Sequence, residues 1–192
     1  MPPTTSKWSS QSPVRLEDMR FTVADNPGII AGASENVGLG HSFLKSIERS
    51  LALVYVVDFS RDAPWEDVET LRSELEAYKK GLSHKACLII ANKADLAPSS
   101  STEDVRAAQE KLKRLEAHGE YMVTAARNCA AAEECVRNDT QLSVIPISGK
   151  YRKNLDPVVR VLSEIIKRAR GGRELQEAAN SAMSSSMIMN VS

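Results

Sequence analysis

Three short, mostly apolar runs constrain this 192-residue chain more than any other feature: Leu51–Phe59 (LALVYVVDF), Ala86–Ala91 (ACLIIA) and Leu142–Ile147 (LSVIPI). They are too short to be core helices and too rich in β-branched residues to be loops, so each reads as a strand covered on both faces. A helical stripe follows each: Val68, Leu71, Leu75 and Tyr78; then Val105, Ala108, Leu112 and Leu115; then Val158, Val161, Leu162, Ile165 and Ile166. Strand alternating with helix demands parallel pairing through right-handed crossovers, with helices on both faces of an open sheet. A fourth run, Phe21 to Ala24, reads as a further buried strand ahead of these.

The helix boundaries carry their own signals. Pro64 fits the first turn of a helix beginning near Ala63, and Gly81 is placed to stop it. Ser101 and Asp104 have capping-box spacing, and Gly119 marks the end of that helix. Asp156 with Pro157 predicts a cap and first turn, closed by Gly171-Gly172. A short helix is expected over His41 to Ser50, on the spacing of Phe43, Leu44 and Ile47. Val14 to Ala24 reads equally well as a tight hairpin around Glu17-Asp18 or as a plain linker. Residues 1–13 are Ser/Pro-rich and expected to be disordered, residues 120–141 form an insertion with a short helix, and residues 171–192 form a flexible tail.

Three polar motifs lie just past apolar runs, at the edge where open α/β sheets bind ligands. The first is Asp25-Asn26-Pro27-Gly28, opening a stretch with further glycines at 32, 38 and 40, which lets backbone N–H groups approach an anion. The second is Asn92-Lys93-Ala94-Asp95, and the third is Ser148-Gly149-Lys150. Each in isolation also reads as a surface turn; order and placement past strands give them joint weight. Asp58 ends a strand beside them, and it either touches the site or caps Ser60. His41, His84 and His118 read as loop, cap or helix-end residues.

Zero formal net charge gives no support for an autonomous polyanion binder. Cys87, Cys129 and Cys135 have no metal-ligand spacing and cannot all pair, which fits a reducing compartment. No apolar run approaches the ~18 residues of a membrane helix, so no membrane partner is expected. The first 13 residues resemble neither a secretory signal nor an organelle presequence.

The order of the motifs resembles the guanine-nucleotide domain of P-loop GTPases. The stretch from Asp25 to Arg49, with its glycine-rich segment, looks like the switch of the Obg branch of ribosome-assembly GTPases, in phrasing closest to mitochondrial members. The resemblance covers about residues 21–170 and implies a partial Obg-type G domain over 14–170. It implies GTP/GDP and Mg²⁺ as ligands. Asp25 would hold Mg²⁺ through water, Asn26, Pro27 and Gly28 would form the switch, and the Gly28 N–H would touch the γ-phosphate. Asp95 would accept two hydrogen bonds from guanine, the Lys93 stem would lie on the purine, and Asn92 would tie neighbouring loops or touch the base edge. Ala94 belongs to the same turn. Ser148, Gly149 and Lys150 would supply backbone contacts to the base oxygen.

The sequence also departs from that family. It contains no Gly-x-x-x-x-Gly-Lys-Ser/Thr, the loop that cradles phosphates, and no first switch. The expectation is therefore a truncated G domain lacking its first strand and helix, with impaired hydrolysis. Two strands would be left about 9–10 Å apart where a central strand belongs. Ile29 stands where many GTPases place a water-orienting glutamine, and an apolar side chain cannot orient water. A GTPase switch linked to ribosome assembly is the leading expectation, with the large ribosomal subunit or rRNA as partner. The alternative is a non-hydrolysing remnant that serves as an interaction scaffold. A monomer in mitochondria is expected, with cytoplasm as the alternative compartment.

Overall fold

The computed structural model describes residues 11–16, 19–25, 47–127 and 142–188. Two strands, β1 (Gln11–Leu16) and β2 (Met19–Ala24), form an antiparallel pair running from Leu16↔Met19 to Gln11↔Ala24. Three more, β3 (Leu53–Asp58), β4 (Ala86–Asn92) and β5 (Ser143–Pro146), form a parallel sheet in the order β3-β4-β5. Among the described residues, three long helices accompany it: α1 (Pro64–Tyr78), α2 (Thr102–Arg127) and α3 (Leu155–Ile188). The fold is the expected α/β arrangement, a parallel sheet with helices on both faces.

Pleat alternation splits the sheet's side chains between two cores. On one face Tyr55, Val57, Phe59, Ile89, Ala91 and Leu142 pack with Val68 and Leu75 of α1 and Leu115 and Met122 of α2. On the other, Leu88, Ile145 and Ile147 meet Val158 of α3, with Leu155, Val161, Leu162 and Ile165 packed around them. Leu88 and Ile89 are both fully buried, as a central strand covered on two sides requires.

Several local signals produce the expected structure. Pro64 opens α1, and Ser101 and Asp104 make the reciprocal capping bonds that start α2, each 3.0 Å long. The hairpin reading of residues 14–24 holds in preference to the linker. That hairpin begins at Gln11, inside the stretch expected to be disordered.

Other expectations need correction. The Phe21 strand does not join the parallel sheet: among the described residues β2 pairs only with β1. An antiparallel partner is reached through a short turn, whereas parallel pairing needs a long crossover, so the hairpin satisfies β2 locally. Nor is that strand buried: Phe21 is half-buried and Val23 is 45% exposed. Gly119 does not end α2; it lies buried inside the helix, facing Leu142 and Ile89. Gly171-Gly172 do not close α3, which continues to Ile188. That helix also starts at Leu155, so Asp156 sits in its first turn and does not cap it. Residues 47–49 are helical, in line with a helix ending near Ser50; His41 and most of that segment lie outside the described residues, as do 128–141 of the insertion.

Candidate functional site

The C-terminal ends of β3, β4 and β5 converge, and the loops that leave them are tied by a small set of hydrogen bonds. Asn92 ends β4, and its side-chain Oδ1 accepts from its neighbour Lys93 N at 2.8 Å and from Gly149 N at 3.0 Å. One carboxamide thus joins the second and third motifs. The joint leaves little room: a Cβ on Gly149 would lie 3.3 Å from that same Oδ1. Backbone bonds reinforce it. Ile147 N donates to Ala91 O at 2.9 Å, Ala94 N to Ile147 O at 3.0 Å, and Phe59 N to Asn92 O at 2.8 Å. Lys93 turns the chain with a left-handed φ of 63°, uncommon for a residue with a side chain.

The turn presents Lys93 and Asp95 to solvent. The Lys93 Nζ donates to Asp58 Oδ2 at 2.6 Å, across from the end of β3. Asp58 Oδ1 accepts from Ser60 N at 3.0 Å and Ser60 Oγ at 2.6 Å. So Asp58 does both things the sequence left open, capping its own loop and reaching the motif. The Lys93 hydrogen bond, then those from Ser60, hold its carboxyl down at about 2.

Asp95 lines a cavity of about 590 Å³ with Ala94, Phe59, Pro146, Tyr151 and Lys153, against Val105 and Leu112 of α2. A carboxylate here can accept two parallel N–H donors from a planar ligand. Ser148 is 3% exposed, with its backbone paired both ways to Lys153 at 3.0 and 3.2 Å. Gly149 and Lys150 are exposed at the tip of that loop, and Lys150 Nζ sits 5.0 Å from the Tyr151 ring centroid. Arg152 and Asn154 both take positive φ, and Asn154 Nδ2 anchors the loop to Pro146 O at 2.7 Å. Sequence pattern alone does not single out Tyr151 and Lys153; the small-residue motif just before them is the available signal.

Of the first motif, only Asp25 is among the described residues. Asp25 directly follows β2 of the hairpin and is exposed, while Asn26, Pro27 and Gly28 lie outside the described residues. No group of three His, Cys, Asp or Glu suited to a metal occurs among the described residues.

A family model described as "50S ribosome-binding GTPase" matches residues 1–93. A mitochondrial ribosome-associated GTPase 2 from Pongo abelii is 54% identical over 78 residues, 41% of this chain and 19% of that protein. A GTPase Obg from Halalkalibacterium halodurans is 35% identical over 159 residues, 80% of this chain and 30% of that one. Over these stretches the chain is similar to Obg-type GTPases. It spans less than a third of the length of these Obg-type relatives. In fold it is similar to a Plasmodium falciparum protein described as a nucleolar GTP-binding protein 1. The TM-score is 0.56 at 12% identity, over 91% of this chain and 78% of that one. No described helix is long and apolar enough to cross a membrane.

Proposed function

We propose that this chain binds a guanine nucleotide through the turn after β4 and the loop after β5, as part of an Obg-type switch linked to ribosome assembly. The observation that carries the proposal is the Asn92 carboxamide bridging Lys93 and Gly149, beside an exposed Asp95 at the rim of a parallel sheet. Guanine offers a ring N–H and an exocyclic amine side by side; adenine has no such pair. A site whose carboxylate is left unpaired rejects the wrong base by up to about 10⁴-fold. Asn92 sets the spacing of the two loops, the Lys93 stem supplies an apolar face for the ring, and Ser148, Gly149 and Lys150 line the side of the base oxygen. The names of the relatives support the link to a ribosome and a mitochondrial compartment.

Asp25 and Gly28 are assigned to Mg²⁺ and γ-phosphate by likeness alone, and the 192 residues contain no Gly-x-x-x-x-Gly-Lys-Ser/Thr. Binding is therefore expected to be weak and nearly blind to the γ-phosphate, with little or no hydrolysis. That is also the ground for the second reading, a non-hydrolysing interaction scaffold. Titration of the full chain with fluorescent GDP, GTP and ADP tests both readings. The expected outcome is a preference for GDP over ADP that Asp95→Ala brings close to parity. Unchanged preference in that variant sinks the base-reading assignment, and a large gain from the γ-phosphate sinks the scaffold reading.

A further inference from the structure

We propose that Asp58 is a positioning residue for base recognition, holding Lys93 by its ammonium so that the lysine stem stays fixed beside the Asp95 turn. The proposal rests on the guanine-binding reading above and adds to it a residue from a different strand. Lysine is a poor platform by itself: its four-carbon stem has many rotamers and its ammonium prefers water. Here the residue is secured at both ends. Its backbone N–H donates to Asn92 Oδ1 at 2.8 Å, and its Nζ to Asp58 Oδ2 at 2.6 Å.

Asp58 is itself held. It closes β3 directly opposite Asn92 in the parallel register, and Ser60 occupies its other oxygen through two hydrogen bonds. The brace therefore runs from one strand end to the next, Ser60 to Asp58 to Lys93 to Asn92 to Gly149. Pairing also neutralises the ammonium locally, so the stem becomes the part of Lys93 offered to a flat, uncharged ring. Ordering a side chain before the ligand arrives removes a cost from binding.

The test has two arms on the full chain. Without nucleotide, NMR of ¹³C-lysine-labelled protein reads the two ε-methylene protons of Lys93. They should be distinct in the wild type and merged in Asp58→Asn, which keeps the size of the side chain and its acceptor for Ser60. With nucleotide, GDP and ADP affinities are measured for the wild type, Asp58→Asn, Lys93→Ala and the double variant. Asp58→Asn should weaken GDP about three- to tenfold and do nothing further once Lys93 is alanine. Merged Lys93 signals in the wild type, an unchanged GDP affinity, or equal losses in both backgrounds would overturn the proposal. A wild type that binds GDP and ADP alike defeats the guanine reading itself. The Lys93 signals, recorded without nucleotide, then still decide whether Asp58 orients the side chain.

Discussion

Cys87 is 3% exposed on the central strand, where its thiol donates to the Leu53 carbonyl at 3.1 Å. Burial pushes that thiol up to about 12, because a thiolate there would lose its hydration. Thiolate is the reactive form, so the residue should be inert in the native state. In a variant carrying Cys129→Ser and Cys135→Ser, a disulfide-exchange reagent at pH 8 should label Cys87 only after denaturant is added. Rapid labelling of the native protein would mean that β4 is not the covered strand described here. Tyr55 is a buried group in the core on the other face of the sheet. Burial raises its phenol well above the ordinary value, and its hydroxyl has no hydrogen-bond partner among the described residues.

At the scale of the elements, Gly119 shows what a sequence pattern conceals. Glycine costs a helix about 1 kcal/mol relative to alanine, which made it a natural stop. In the structure it lies inside α2 because that turn crosses close to the sheet. An added Cβ would sit 3.5 Å from Leu142 Cδ2 and 3.6 Å from Ile89 Cδ1, ordinary contact distances. Gly119→Ala should therefore stabilise the chain by roughly 1 kcal/mol, raising the thermal midpoint by about 2–4 °C. Gly119→Leu should destabilise it by about 1–3 kcal/mol through overpacking. A lower midpoint in the alanine variant would contradict this packing.

The apolar runs of β3, β4 and β5 were legible because a strand buried on both faces cannot hide its composition. Ser101 and Asp104 were legible because capping is local chemistry. What decided Gly119 was tertiary context, the side chains of Leu142 and Ile89 beside it, which sequence does not show. The turn proposed to read the base was legible from Asn92 to Asp95. The contacts of Asp58 with Lys93 and of Asn92 with Gly149 join residues 35 and 57 positions apart, and only the fold brings these together.

At the scale of the whole molecule, the strand edge of the parallel sheet decides how the protein behaves in solution. Among the described residues the sheet simply stops at β3, and the hairpin of β1 and β2 closes on itself. On the face of β3 opposite the α1 core, Val54 packs against the α3 side while Val56 is left 57% exposed. An unpaired strand edge with an exposed valine is a template for pairing with another chain. The expected consequence is self-association that grows with concentration and begins at this strand. Val56→Lys places a charge on that edge without disturbing either core, so its effect on stability should stay within about 0.5 kcal/mol. Static light scattering across a concentration series should show the variant remaining small where the wild type grows, at an unchanged thermal midpoint. If both proteins scatter alike, the edge of β3 is covered by some other part of the chain, and the sheet does not end there.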